Sequence, residues 1–279
     1  MPQMARARRP FFVAKSQEKE GCVFFEKEVE FDWHKGMSWQ VRQRSSLAMA
    51  QVIEEMYPKM KGRILEVSTK SSNYELGFAL SAMNLMYTDL ETQEKHPVEN
   101  WFQSSKQFLR EGKVFGPYTE LLIVDPKSAK RFVNSGLDKK IADQYAHNAL
   151  FNRIQGEIEG ASLQRFVLLG KNYKTEPKSG FYDYLYSKAL NQNQELAESI
   201  IEYTVFTDIE FNPKMNGVVI RFNTQARACA IFVALSKKGL LNIALKDFSS
   251  FVDCVQYETD SISNPKNNVQ AELPFFIDD

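Results

Sequence analysis

A glutamate and a lysine seven residues apart are the pair best suited to chemistry in this sequence. Glu99 and Lys106 lie in the stretch HPVENWFQSSKQF, whose spacing predicts an amphipathic helix from Pro97 to about Glu111. Proline suits a first helical turn, and the helix dipole favours a carboxylate there. Seven residues correspond to about 700° of rotation and roughly 10 Å of rise, so both side chains would share a face with a sugar-sized gap between them. A solvated surface helix is the alternative that these residues alone favour.

A polar segment after a short predicted strand is a second candidate. The strand covers Ile64 to Val67, and the loop that follows begins with Ser68, Lys70 and Ser71. Backbone and hydroxyl donors where a strand runs into a helix suit a phosphate or diphosphate group. The segment lacks the glycine pattern of a Walker or dinucleotide-binding loop, so an ordinary polar loop is the alternative.

Three tyrosines and an aspartate form a third candidate. The stretch EPKSGFYDYLY places Asp183 among Tyr182, Tyr184 and Tyr186 at the start of a predicted helix. Alternate residues cannot all face one way on a helix, so some of the tyrosines must pack in the core. One or more of them could stack on a base, and packing of all three in the core is the alternative.

A basic segment, PKSAKRF, supplies Lys127, Lys130 and Arg131, which would either contact phosphates or form a solvated face. The commonest hydrolase and transferase signatures are absent from the sequence, including GxSxG, HExxH, the zinc deaminase pattern and the kinase motifs.

Composition limits the class of protein. The chain has 279 residues, 43% of them hydrophobic, and a formal net charge of zero. The balanced charge argues against coating nucleic acid by bulk charge, although a local basic groove remains possible. We predict free thiols in a reducing compartment and no metal site, because the cysteines and histidines show no ligand spacing (Cys22, Cys229, Cys254, His34, His96 and His147). With no secretory signal and no 20-residue apolar run, we expect a cytoplasmic protein without a membrane segment.

The predicted fold is a single α+β domain, mainly helical with a small sheet. We expect a basic flexible N-terminus over residues 1–10, one domain over residues 11–258 and a mobile tail over residues 259–279. Hydrophobic periodicity predicts one or two strands at residues 22–33 and further strands at residues 64–67, 166–169 and 217–222. It predicts helices at residues 39–56, 74–86, 126–136 and 224–241, and one or two helices at residues 181–203. Residues 121–124 read as a strand or a short helix.

Four segments, in order along the chain, resemble the NADAR superfamily, named for NAD and ADP-ribose association. They are EVSTKSSNYELGFALSAMNL, HPVENWFQSSKQF, GPYTELLIVDPKSAKR and EPKSGFYDYLYSKAL. The superfamily pattern of a glutamate, an aromatic–glutamine pair and a lysine is matched by Glu99, Phe102–Gln103 and Lys106. The match is closest to the antitoxin branch found beside DarT-type toxins, which ADP-ribosylate guanine in DNA.

The resemblance implies a NADAR-type fold and hydrolysis of the N-glycosidic bond between ADP-ribose and guanine in DNA. Glu99 would be the carboxylate that stabilises the oxocarbenium-like state, and Lys106 would either protonate the departing base or attack the opened ribose as a Schiff base. Asp183 is a second candidate acid. The implied substrate-binding residues are Ser68, Lys70 and Ser71 for the diphosphate, Asn73 or Asn84 for the ribose or for orienting Glu99, and Phe102, Gln103, Tyr118, Lys130, Arg131 and Tyr182.

The implied partners are ADP-ribosylated DNA and a cognate DarT-type toxin, with ADP-ribose as the product and no cofactor. Two other functions fit the same resemblance. One is a non-catalytic module that captures NAD or ADP-ribose, or that neutralises the toxin by direct contact. The other is an N-glycosidase acting on a ribosylated small metabolite.

Overall fold

The structure, a computed structural model, describes residues 5–16, 21–36, 38–134, 137, 139–215, 218–219 and 221–257. Its α-helices are α1 (Trp39–Met56), α2 (Val98–Ser104), α3 (Pro126–Phe132), α4 (Lys139–Gln144), α5 (Ala149–Ile158), α6 (Gly180–Gln192), α7 (Gln194–Ile200), α8 (Gln225–Lys237), α9 (Leu241–Ala244) and α10 (Phe248–Val255). Short 3₁₀ turns lie at Pro58–Met60 and Thr119–Ile123, and a π-helical turn lies at Tyr74–Phe78.

The strands are β1 (Ala5–Ala14), β2 (Phe24–Trp33), β3 (Ile64–Glu66), β4 (Met86–Thr88), β5 (Lys95–Pro97), β6 (Lys106–Arg110), β7 (Lys113–Phe115), β8 (Ser162–Leu168), β9 (Lys171–Tyr173), β10 (Val205–Thr207), β11 (Lys214–Met215) and β12 (Val218–Val219). They form two four-stranded sheets, of order β2-β1-β10-β3 and β7-β6-β8-β9, and two small hairpins. The α+β class is thereby confirmed.

The first sheet has helices on both faces. Successive residues of a strand point to opposite faces, so Phe11 and Val13 of β1 pack with Met49 and Ile53 of α1. Phe12, between them, belongs to the core on the other face, together with α6 and α8. Residues from Ala226 to Leu235 of α8 are buried all round, as expected for a helix in the centre of a core. This sheet brings the carboxyl ends of β3 and β10, which run parallel, to the same edge.

The second sheet lies over a separate hydrophobic cluster. Phe108 of β6 and Phe115 of β7 pack there with Phe132 of α3 and Phe151 of α5. Lys106 pairs with Phe166 of β8 as the first residue of β6. The sheet therefore fixes the backbone of Lys106 at the boundary between α2 and β6.

The predicted helix from Pro97 to about Glu111 is wrong beyond Ser105. The helix ends at Ser104, and the chain continues as strand β6. The hydroxyl of Ser104 donates to Trp101 O at 3.1 Å and that of Ser105 donates to Phe102 O at 2.8 Å, so both serines satisfy carbonyls of the last turn. Val167 N then donates to Ser105 O at 2.7 Å, which starts the pairing with β8. This long-range pairing overrides the local helical spacing.

The predicted flexible start over residues 1–10 is wrong for residues 5–10, which form the first half of β1. Arg6 contacts Glu30 and Asp32 of β2, at 3.4 and 3.1 Å, and Arg8 contacts Glu30 at 3.5 Å. The cationic segment is thus the antiparallel partner of the acidic strand, and cross-strand pairs of opposite charge stabilise a sheet.

Other predicted elements are found with small differences. Helix α1 has the predicted bounds, and α8 is followed by Gly239 at φ 69°, in the left-handed conformation that favours glycine. The predicted helix over residues 74–86 is wrong, because only one π-helical turn forms before the chain turns into β4. Residues 217 and 220 of a predicted strand, Gly136 and the predicted tail over residues 259–279 lie outside the described residues. No helix in the described part of the chain is both long and apolar enough to cross a membrane.

Candidate functional site

Glu99 lies in the first turn of α2 with only 3% of its surface exposed. Its backbone N–H donates to Ala82 O at 2.9 Å, which ties the start of the helix to the preceding loop. One carboxylate oxygen, Oε1, accepts a hydrogen bond from Gln103 Nε2 at 2.5 Å, and the other lies 3.8 Å from Lys130 Nζ. A buried carboxylate is stable only when it is paired, and the amide and the cation provide that pairing. They also hold the carboxylate in one orientation, in which it could interact with a bound ligand.

Lys106 presents its amine to a cleft next to Glu99. Its Nζ lies 5.0 Å from the centre of the Phe102 ring. Burial lowers the pKa of the Lys106 amine to about 8, with Glu99 opposing the shift and Lys130 adding to it. Roughly a tenth of such an amine is neutral at pH 7, against under a thousandth for a solvated lysine. Lys106 is therefore suited to act as a nucleophile or as a proton donor near neutral pH.

The turn from α2 into β6 brings these two groups together. The sequence spacing predicts that the two side chains share one helical face. They do not, because the helix ends before Lys106. Phe102 lies between them in the chain, and its ring forms part of the wall against which the lysine side chain packs. A helix-to-strand junction thus achieves the same juxtaposition by another route.

The cleft beside Lys106 has a volume of about 320 Å³, at the small end of the range for ligand pockets. Aromatic rings of Phe102, Phe166 and Phe222 form its apolar wall, and Asn223 contributes to the lining. The side-chain oxygen Asn223 Oδ1 is buried and, among the described residues, accepts no hydrogen bond. Unpartnered buried acceptors are costly, so a ligand N–H or O–H is a natural partner for this atom.

Gln103 Oε1 is a second buried acceptor without a partner in the described part of the chain. The same side chain donates from its Nε2 to Glu99, and this bond sets the orientation of the amide. Gln103 is thus placed beside the predicted catalytic carboxylate.

The serines of the predicted phosphate loop are used within the protein. Ser68 Oγ donates to Glu66 Oε1 at 2.6 Å and accepts from the backbone N–H of Lys70 at 3.0 Å. Ser71 Oγ accepts from Asn73 N at 3.2 Å. These hydroxyls shape the loop, and the half-buried Lys70 is its remaining cationic side chain.

The two candidate asparagines hold backbone. Asn73 Oδ1 accepts from Leu76 N at 2.9 Å and caps the π-helical turn. Asn84 Nδ2 donates to Phe78 O at 2.9 Å and to Ser81 Oγ at 2.8 Å. In the described part of the chain, neither side chain forms a hydrogen bond with Glu99. They stabilise the loop from which Ala82 anchors α2.

Tyr182 is the tyrosine of the EPKSGFYDYLY stretch that faces the site. Its ring meets Phe102 edge-on, with centroids 5.1 Å apart. Burial and the nearby charges of Glu99 and Asp208 raise the pKa of its hydroxyl. Tyr186 instead donates to Leu80 O in the core, and Tyr184 packs against Phe251. All three tyrosines are buried in the core cluster on this face of the first sheet, and Tyr182 is the one that contacts Phe102. Stacking of a tyrosine on a base stays a prediction.

Asp183 is held in a buried hydrogen-bond network. Its carboxylate, fully buried, accepts from Arg227 Nε at 3.0 Å and from the Tyr257 hydroxyl at 2.9 Å. None of the hydrogen bonds or ion pairs found among the described residues joins it to Glu99 or Lys106. A carboxylate paired with a buried guanidinium is suited to a structural role, and its role as a second acid stays a prediction.

Tyr118 and Arg131 also lie outside the group around Glu99. Tyr118 belongs to the second hydrophobic cluster, 6.4 Å from Phe108 between ring centroids. Arg131 Nη1 donates to the Tyr145 hydroxyl at 2.9 Å. On the same helix, α3, Lys130 reaches Glu99 instead, so one residue of the basic segment joins the site.

A buried acid pair adjoins the site, and sequence patterns did not reveal it. Glu66 is the last residue of β3, and Asp208 comes directly after β10, so both lie at the carboxyl edge of the parallel pair. Burial raises the pKa of both carboxyls. Repulsion from Glu66 raises the pKa of Asp208 further, while Lys130 lowers it. Strand β10 was not predicted, and only its pairing with β3 brings Asp208 beside residues that precede it by more than a hundred positions.

Comparison with known families gives one match across nearly the whole described chain. The family described as DarT1-associated NADAR antitoxin matches residues 7–153 and 148–265. No curated protein matches the chain.

Proposed function

The chain belongs to the DarT1-associated NADAR antitoxin family, and from that premise we propose that it is a hydrolase that removes ADP-ribose from guanine bases in DNA. In this role it reverses the modification made by a DarT-type toxin and thereby acts as the antitoxin. The observation that supports this chemistry is the lysine amine of lowered pKa beside a buried, oriented glutamate.

Lys106 is the proposed nucleophile. Its neutral amine attacks the anomeric carbon of the ribose, and the bond from that carbon to the guanine nitrogen breaks. The guanine nitrogen takes up a proton as it leaves. The ribose ring then opens to give an iminium between Lys106 and the sugar, and addition of water releases ADP-ribose and restores the amine.

Glu99 is the proposed general acid–base group. Positive charge develops at the anomeric carbon as the glycosidic bond breaks, and a nearby carboxylate stabilises it. The same carboxylate is suited to pass a proton to the departing guanine and later to activate water. Gln103 holds this carboxylate in one orientation by the hydrogen bond to its Oε1.

The cleft beside Lys106 is proposed to hold the guanine. A purine presents flat apolar faces to rings such as those of Phe102 and Phe166, and it carries N–H donors at its edge. The unpartnered oxygen of Asn223 accepts from such a donor. Lys130, which contacts Glu99, and Lys70 of the loop after β3 are the proposed cations for the diphosphate.

The test is incubation of a guanine-ADP-ribosylated DNA oligonucleotide with the wild type, Glu99→Gln and Lys106→Ala. Lys127→Ala is the matched control, because Lys127 and Lys130 are both exposed lysines of α3, and Lys130 is the one that contacts Glu99. We expect free ADP-ribose from the wild type and the control, with a loss of at least ~100-fold in the other two variants.

Other outcomes select the alternatives. Binding of ADP-ribose without release by any variant would favour a non-catalytic module. Release from a ribosylated nucleoside or metabolite but not from DNA would move the substrate to a small molecule. Equal release by Lys106→Ala and the wild type would contradict the proposed site.

A further inference from the structure

Two arginines from different elements lie close to a single tryptophan ring. The guanidinium carbon of Arg9, on β1, lies 5.0 Å from the centre of the Trp33 ring, and that of Arg42, on α1, lies 4.5 Å from it. Guanidinium groups at this distance are attracted by the aromatic quadrupole. Trp33 therefore holds two like charges near each other on the outer part of the first sheet.

Arg9 has unused donor capacity. Its Nη1 donates to Arg8 O at 2.9 Å, but its Nε is buried and has no hydrogen-bond partner among the described residues. A buried donor without an acceptor costs about 1–3 kcal/mol, and more when charged. An anionic ligand with several acceptor oxygens would remove this cost.

A third arginine adds to the local positive charge. Arg221, exposed in the loop before α8, is near enough for its charge to lower the pKa of Arg9, as do burial and Arg42. The nearby carboxylates neutralise the positive charge of the three arginines only in part. Glu210 lies 3.8 Å from Arg42 and is half-exposed, and the raised pKa of Asp208 favours its neutral form.

This arginine group adjoins the proposed active site. Asp208 is near enough for its charge to act on Arg9 and for the charge of Lys130 to act on Asp208, and Lys130 contacts Glu99. Lys130 and the arginine group thus share Asp208 as an electrostatic neighbour. The overall net charge of zero makes such a concentration of arginines notable.

We propose that Arg9, Arg42 and Arg221 form a phosphate-binding site, with Trp33 orienting two of the guanidiniums. Planar guanidiniums bind phosphate oxygens in pairs of hydrogen bonds, which a single ammonium cannot do. The phosphate comes either from the DNA strand that carries the modified guanine or from the diphosphate of ADP-ribose. The choice of DNA or ADP-ribose as the source of the phosphate rests on the proposed function. The proposal that the site binds phosphate does not.

The test measures binding without turnover, so that it is independent of hydrolysis. Fluorescence anisotropy follows an unmodified single-stranded oligonucleotide, and calorimetry follows ADP-ribose, with the wild type, Arg9→Gln, Arg42→Gln and Arg221→Gln. Arg44→Gln is the matched control, since Arg44 is exposed on the same helix as Arg42. Arg221→Gln, at an exposed loop position, preserves the test if Arg9→Gln or Arg42→Gln fails to fold.

We expect about tenfold weaker binding in the three variants and none of this loss in the control. Weakening confined to the oligonucleotide assigns the site to the DNA strand, with a shallower salt dependence. Weakening confined to ADP-ribose assigns it to the diphosphate. Unchanged affinity for both ligands in Arg221→Gln and Arg9→Gln would overturn the proposal. Failure of ADP-ribosyl-guanine hydrolysis by the wild type would instead concern only the proposed function.

Discussion

Gln103 donates a hydrogen bond from its Nε2 to Glu99 Oε1 at 2.5 Å, one turn further along the same short helix. The bond leaves Gln103 Oε1 buried and without a partner among the described residues. It also fixes the carboxylate so that its second oxygen faces Lys130. Gln103 is therefore a positioning residue, which acts through Glu99.

Replacing this amide tests its positioning role. We expect Gln103→Met to reduce kcat by about 10- to 100-fold. Without the hydrogen bond from Gln103, the carboxylate of Glu99 samples several orientations and is less often in the productive one. KM should change little, because Gln103 acts on the carboxylate rather than on the substrate. An unchanged kcat, or a loss of activity that a smaller folded fraction explains in full, would reduce Gln103 to a packing residue.

Removal of Lys130 should change the pH at which the protein works. The positive charge of Lys130 lowers the pKa of Lys106, so Lys130→Met should raise that pKa above about 8. Less of the amine is then neutral at pH 7, and activity there should fall several-fold but recover as the pH rises toward 9. The measurement is the pH–rate profile of kcat/KM, with Lys127→Met as the exposed control on the same helix.

A loss of activity in Lys130→Met that is uniform across pH would contradict this electrostatic role. It would leave Lys130 with only its proposed contact to the diphosphate. A matching change in Lys127→Met would show that the effect belongs to the helix as a whole.

Asp183 and Arg227 should matter for stability rather than for chemistry. Breaking a buried ion pair leaves one charge uncompensated, so Asp183→Asn should lower the free energy of unfolding by about 3–5 kcal/mol. Replacing both partners, as Asp183→Asn with Arg227→Met, should cost less than the sum of the single changes. Chemical denaturation measures the cycle, and activity is normalised to the folded fraction. A stably folded Asp183→Asn protein that has lost hydrolysis would support Asp183 as the second catalytic acid and contradict a purely structural role.

The acid pair Glu66 and Asp208 should make stability depend on pH. Both carboxyls have a raised pKa in the folded protein. The folded state therefore binds protons more tightly, and this stabilisation is complete below the ordinary carboxyl pKa of about 4 and is lost as the pH rises through the raised value. The unfolding free energy of Asp208→Asn relative to the wild type should increase between pH 5 and pH 8. Parallel pH curves for the two proteins would contradict the interpretation.

Local patterns were sufficient for elements whose burial is set by their own periodicity. Helix α1 carries Met49 and Ile53 at helical spacing and a Ser38 side chain that caps its first turn, so its bounds follow from the sequence. The same reasoning failed after Ser104. The choice between helix and strand for Lys106 depends on pairing with Phe166, which is sixty residues away in the sequence.

Charge patterns gave a similar contrast. The run from Ala5 to Arg9 resembles a flexible cationic terminus until its acidic partner strand is placed beside it. Asp208 could not be selected by sequence, because its burial follows from the parallel pairing of β10 with β3. The association of Glu99 with Lys106 was predicted from spacing and resemblance, whereas the arrangement that produces it depends on contacts made after the chain folds.

The most direct measurement is reductive trapping with ADP-ribosylated DNA as the substrate. Borohydride added during turnover should convert the iminium into a stable amine, and mass spectrometry of the digested protein should locate the ADP-ribose adduct on Lys106. The adduct should be absent in Lys106→Arg, which keeps the positive charge but is not a nucleophile near neutral pH. Release of ADP-ribose by the wild type without any adduct on Lys106 would contradict covalent catalysis by this lysine.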